Sequence, residues 1–272
     1  MGFLQALAYA LLMNAIPLAD VIWQGRSPAV LLLLFWFETA LLLVAGAIRI
    51  VLHRRATGKT GHHAPLGTVS DHGAGADETR RRLGDGNTYL RGFLTTTAIF
   101  TVAHGVFVAL LVFLFEVAGP LRREDATIAL AWAACVQAVF LLLDLPRLAQ
   151  WSFAKLGEVC GAASIRVLVT QLALILGLPA AGITGSPWGM VGTFIAVRSL
   201  ADASIASLTA LVRRRDLPPG LARFLASRSR QSVESLEAEF DAMKERGREV
   251  EALLERPIGD VLDERRAGPS PH

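Results

Sequence analysis

Residues 31–46 read LLLLFWFETALLLVAG. Fifteen of these positions are apolar, small or aromatic apart from a single threonine, and one is a glutamate, Glu38. The stretch sits inside a longer apolar run, Pro28–Val51. A helix needs roughly 20 apolar residues to cross the hydrocarbon core of a bilayer, so this run reads as a transmembrane helix. Five more runs of similar character follow the same pattern: Phe3–Trp23, Gly92–Val117, Ala126–Leu145, Ile165–Ile183 and Trp188–Val212. Ile165–Ile183 contains Pro179, which neighbouring helices can accommodate in a membrane by satisfying the freed carbonyl. The expected fold class is therefore all-α: an integral membrane helical bundle of about six transmembrane helices.

Composition agrees with this reading. The 272 residues are 53% hydrophobic and only 19% charged, whereas soluble domains carry about a quarter charged residues. The charges gather mainly in two segments, residues 52–91 and 213–272. A basic balance can signal nucleic acid, but the Lys and Arg residues track the ends of the apolar runs, so the partner they imply is the lipid bilayer and no nucleic acid is expected. The start of the chain lacks the basic residues of a signal peptide, and its apolar run is of span length, so Phe3–Trp23 reads as a retained helix. Cys135 and Cys160 provide no disulfide framework. Cys135 reads as a small core residue, and Cys160 as a reduced thiol on the cytoplasmic side.

Orientation follows from the basic residues. With the N-terminus inside, the cytoplasmic connections and their flanking helix ends hold 23 Lys and Arg, against 3 in the opposite loops. The positive-inside rule then places both termini in the cytoplasm, in a bacterial inner (cytoplasmic) membrane. Residues 1–212 form the expected bundle. Within it, 52–91 is Gly- and charge-rich without an apolar period, and reads as a flexible cytoplasmic loop. Residues Pro146–Ala163 mix Trp151, Phe153 and Leu156 with Arg147, Lys155 and Glu158, the pattern of an interfacial helix on the inner leaflet. Residues 213–272 form a cytoplasmic tail. Val233, Leu236, Phe240, Met243, Val250 and Leu254 recur at helical spacing there, predicting an amphipathic helix that docks on the membrane or the cytoplasmic loops, with self-association as the alternative. Beyond Pro257 disorder is expected.

Several runs carry a polar residue near their middle: Asn14, Glu38, His104, Gln137 and Arg198. A charge at the bilayer centre costs about 2.5–3.5 kcal/mol on insertion scales, so such groups face the bundle interior and find partners. For Glu38 the candidates are Arg198 and His104. Asp202 lies one turn from Arg198 and competes for it. The intramembrane polar cluster is thus Asn14, Glu38, His104, Gln137, Arg198 and Asp202. It supports transport or binding of a small solute or ion; the ligand itself is not legible, and no cofactor is indicated. A membrane-embedded enzyme and a non-catalytic assembly protein are the alternatives. No catalytic motif is recognised. Gly58-Lys59-Thr60 resembles the end of a phosphate-binding loop, but His53 stands where the first glycine belongs and no strand precedes it. His62, His63 and His72 with Asp71 lie in a Gly-rich loop that forms no ready metal site.

The chain resembles the bacterial and archaeal multi-pass membrane proteins grouped as domain of unknown function 6498. The likeness rests on Asn14 and Pro17, on Phe35-Trp36-Phe37-Glu38, on His104-Gly105-Val106-Phe107, and on the segment from Arg166 to Asp202 around Gly185-Ser186-Pro187. It covers most of residues 8–210. Such proteins often carry further histidines before the His104 position and in the fifth helix, where this chain has Thr97-Ala98-Ile99 and Gln171, and a lysine where it has Arg198. The resemblance implies a polytopic membrane fold and no particular activity.

Overall fold

The computed structural model describes residues 27–68, 75–84, 87–114, 121–213 and 232–267, together with residues 23, 25, 223, 227 and 228. The expected first span and Asn14 lie outside the described residues, as do Asp71 and His72. Eight α-helices are named in chain order: α1 Pro28–Thr57, α2 Ala76–Arg82, α3 Thr88–Ala109, α4 Arg123–Asp144, α5 Phe153–Thr184, α6 Pro187–Arg213, α7 Val233–Glu255 and α8 Ile258–Ala267. A π-helical turn, Leu110–Leu114, extends α3. Two 3-10 segments, Thr60–His63 and Leu145–Gln150, complete the described elements. No strand occurs among the described residues; their one β-type pairing is an isolated bridge between Lys59 and Pro257.

Among the described residues, four helical stretches are long and apolar enough to cross a membrane: Pro28–Thr57, Thr88–Phe113, Arg123–Gln150 and Phe153–Thr184. The 27-residue α6 carries Arg198 and Asp202 in its length, which dilutes its apolar character. The chain divides into two compact units.

The first unit comprises residues 1–47, 94–146 and 160–210. Its apolar core joins Leu31, Leu32 and Phe35 of α1 to Val108 and Leu111 near the end of α3, Leu174 of α5, and Met190 and Phe194 of α6. Gly185, at φ +61°, makes the turn between α5 and α6, a conformation that suits a residue without Cβ. Pro179 sits inside α5 without ending it. The polarity of α3 is reversed relative to a helix of a water-soluble protein. Its buried stripe contains Thr97, Thr101 and His104, while Ile99, Val102, Val106 and Phe113 are exposed. On α4, Trp132, Val139, Phe140 and Leu143 are likewise exposed. In water such apolar surfaces would be unstable or sticky; against lipid tails they carry no penalty. Cys135, expected in the core, is exposed on α4, because this helix contributes little to the packed interior.

The second unit comprises residues 48–93, 147–159 and 211–272. The stretch 52–91 carries the Thr60–His63 turn and α2, and α7 packs on both. The thread is backbone-rich. Thr60 donates from its amide and from its hydroxyl to the Arg256 carbonyl, each at 2.8 Å, and the Ile258 amide donates to the Gly58 carbonyl. Of the apolar stripe foreseen in the tail, Val250 and Leu254 are buried, with Leu253 between them, whereas Met243 is exposed. Helical structure resumes past Pro257, where disorder was expected: α8 follows, with Val261 buried. Residues 153–163 are the first turns of α5 rather than a separate interfacial helix. No proline stands between Phe153 and Ile165, and Ala154, Leu156, Ala162 and Ala163 are strong helix formers, so nothing interrupts the helix before the apolar run.

Candidate functional site

Glu38 projects from α1, ten residues past its start at Pro28, and Arg198 from the middle of α6. The two meet: Arg198 Nη2 donates to both Glu38 carboxylate oxygens, at 2.9 and 2.8 Å. The guanidinium is buried and lies over the Phe35 ring, 4.8 Å from its centroid. That ring stacks in turn on Phe194 with centroids 4.4 Å apart. The Phe35 ring thus holds the cation against α1.

Arg166 of α5, taken from the sequence as a helix-end charge, joins the site. Its Nη1 is 4.0 Å from Glu38, and its Nε is 3.7 Å from Asp202. Two cations and two anions therefore alternate across α1, α5 and α6, and their charges cancel. Asp202, the expected competitor for Arg198, has Arg166 within reach.

His104 is fully buried on α3, and neither ring nitrogen has a hydrogen-bond partner among the described residues. It lies within electrostatic reach of Arg198. Thr101, one turn earlier, is also buried, with its hydroxyl unpartnered. Its carbonyl accepts from Trp36 Nε1 at 3.0 Å. Gly105 lets the indole approach: a Cβ there would stand 2.6 Å from Trp36 Nε1. Gln171 of α5 donates to the Phe100 carbonyl at 2.9 Å, tying α5 to the same helix. Gln137 is half-buried on α4, and no hydrogen bond or ion pair among the described residues joins it to the cluster. The structure thus brings Glu38, Arg198, Asp202 and His104 into one unit's interior, adds Arg166 and Thr101, and leaves Gln137 aside. Sequence reading passed over Arg166 because it falls at the edge of its apolar run, and over Thr101 because threonine carries no charge.

The second unit holds a different polar knot. His53 Nδ1 and His62 Nε2 are 2.8 Å apart, and His53 Nε2 donates to the Trp151 carbonyl at 3.1 Å. Lys59 donates to the same carbonyl at 2.8 Å and pairs with Glu255 at 2.6 Å. Glu255 also accepts from the Phe153 amide, the first of α5, so the tail caps that helix with a carboxylate. Burial, reinforced by the neighbouring His53, Arg54, His63 and Lys59, pushes His62 down to about 3. Its ring is packed edge-on against Phe153. No group of three or more His, Cys, Asp or Glu suited to a metal ion occurs among the described residues.

An all-helical fold with four helices long and apolar enough to cross a membrane among the described residues is that of an α-helical membrane protein. The chain belongs to the family of unknown function DUF6498, which matches residues 4–221. No curated protein and no solved structure matches it.

Proposed function

We propose that this protein sits in the cytoplasmic membrane with about six spans and both termini in the cytoplasm, and that its first unit binds or carries a small solute or ion. The observation that carries the functional part is the reversed polarity of α3. Thr97, Thr101 and His104 are turned inward and Ile99, Val102 and Val106 outward, toward an interior that also holds Glu38 and Arg198. Polar groups cost free energy at membrane depth unless they have partners or serve a path. A buried histidine with both nitrogens unpartnered among the described residues calls for an explanation that helix-to-helix glue does not give.

The topology draws support from the second unit. Residues 48–93, 147–159 and 211–272 fall in one compact unit, as expected of segments on one side of a membrane. An even number of crossings between each and the next agrees with this, two from α3 and α4 and two from α5 and α6. The same segments carry most of the Lys and Arg residues, which favours the cytoplasm for that side.

The test is water access. In a background with Cys135→Ser and Cys160→Ser, Thr101→Cys is treated with a small, membrane-impermeant thiol reagent in oriented vesicles. Reaction from at least one side is expected, with Val102→Cys, on the opposite face, unreactive. An unreactive Thr101→Cys from both sides would remove the solute-site reading and leave a structural role.

A further inference from the structure

The unpartnered groups of the first unit have one chemistry in common. Arg198 carries five N–H donors in a plane. Nη2 is engaged by Glu38, but Nε and Nη1 are buried without a hydrogen-bond partner among the described residues. The cation–π contact with Phe35 leaves these donors unanswered. His104 must carry a proton on at least one of its two unpartnered nitrogens and so contributes another donor. Thr101 contributes a hydroxyl. A helical threonine ordinarily returns its hydroxyl to the carbonyl four residues back, as Thr127, Thr170 and Thr184 do here, each at 2.8 Å. Thr101 departs from that habit and leaves its hydroxyl unpartnered in the interior. The deficit in this site is of acceptors.

We propose that the donor edge of Arg198, with Thr101 and His104, receives a small anion bearing two or more acceptor oxygens, of the carboxylate or inorganic oxyanion class. The proposal rests on the reading of this unit as a small-solute site and specifies what the solute is. A cation is disfavoured by the guanidinium itself. A neutral solute can accept hydrogen bonds, but those from a charged donor to a charged acceptor are roughly twice as strong as neutral ones. The alternation of Arg198, Glu38, Arg166 and Asp202 leaves no net negative charge to repel an anion. Glu38 also has a defined part: by holding Nη2 it restrains the guanidinium.

The test uses the purified full-length protein in detergent. Acetate, formate, nitrate and inorganic phosphate are titrated at constant ionic strength made up with chloride, with acetamide and choline as neutral and cationic controls. Thermal stability and the emission of Trp36, whose indole bonds the Thr101 carbonyl, are followed. Saturable stabilisation by at least one oxyanion, absent with acetamide and choline, is expected. Thr101→Val should weaken that binding about tenfold, one hydrogen bond to a charged group, and His104→Phe by a similar factor, both leaving the Glu38–Arg198 pair in place. Arg198→Lys should abolish it; if that variant does not fold, the other two decide. Saturable binding of acetamide with equal strength and equal sensitivity to Thr101→Val would overturn the anion assignment and keep the solute site. Saturation by none of the anions, with Thr101→Cys reactive, would also overturn it and leave a water-filled interior. Failure of every probe together with an unreactive Thr101→Cys would sink both readings.

Discussion

Replacing Glu38 probes the centre of the first unit. Glu38→Leu leaves the Arg198 guanidinium, 5% exposed, without the two hydrogen bonds of 2.9 and 2.8 Å that hold it. Breaking a buried ion pair from one side costs about 3–5 kcal/mol, because the surviving charge stays desolvated. Arg166 offers no relief, since it is a second cation beside the vacated position. Glu38→Gln keeps one acceptor oxygen and so one of the two bonds, and should cost about 1.5–3 kcal/mol, the range for hydrogen bonds involving a charged group. The double replacement Glu38→Leu with Arg198→Leu removes both charges and leaves Arg166 with Asp202. It should recover most of the loss, as apolar replacement of a whole buried pair is often neutral. The assay is unfolding of the detergent-solubilised protein in a titration with dodecyl sulfate, followed by tryptophan emission. A cost below about 1 kcal/mol for Glu38→Leu, or a double variant as unstable as the two single losses combined, would refute the coupling argued from these distances.

Two further outcomes are expected. Burial holds His62 at about 3, against about 6.5 in an unfolded chain. Between these values the unfolded state binds the proton and the folded state does not, so the stability of the second unit is full above about pH 6.5 and declines as pH falls toward 3. Hydrogen exchange at Thr60–His63 and Val250–Leu254, compared at pH 7 and pH 5 after correction for intrinsic rates, should show this loss of protection. His62→Phe should flatten it, and an unchanged pH dependence in that variant would dismiss His62 as the cause. Gly105→Ala should destabilise the first unit by about 1–3 kcal/mol of overpacking, outweighing the roughly 1 kcal/mol that alanine gains in a helix. The indole must leave the Thr101 carbonyl to make room, so a shift in tryptophan emission should accompany the loss of stability.

Much of the bundle is legible because membrane insertion demands long apolar runs, and α1, α3, α4 and α5 keep them. The second unit is hidden for the opposite reason. Its joints are hydrogen bonds to backbone carbonyls far away in sequence, such as Thr60 to Arg256 and Lys59 to Trp151, and these impose no periodicity on side chains. Its buried apolar residues, among them Ile50, Phe93, Phe153, Leu156, Val250 and Leu254, come from three segments, so none shows a core-forming pattern by itself. Gly and charge richness in 52–91 therefore reads as looseness although His53 and His62 are both fully buried there. Residues 153–163 misread for a related reason: charged side chains suggest a surface helix, but backbone propensity continues unbroken into the apolar run.

The polar site divides along the same physical line, between depth and rotation. Depth can be counted. Glu38 is ten residues past Pro28 and Arg198 eleven past Pro187, so each stands about 15–17 Å along its helix at 1.5 Å per residue. His104 is ten residues before Leu114, about 15 Å from that end. Three groups at one depth are candidates for one cluster, and the sequence suffices to name them. Rotation and reach cannot be counted. Asp202 shares a face with Arg198, yet α1 presents Glu38 to the guanidinium. Arg166, eighteen residues before Thr184 and so about 27 Å from that end, approaches Glu38 and Asp202 only through the length of its own side chain. Arg166 and Asp202 bring the charges of the network into balance, while Arg198 meets Glu38 through a single nitrogen. The donors of Arg198 left over from that pairing, which no count of depth reveals, are the ground for the proposed preference for an anion.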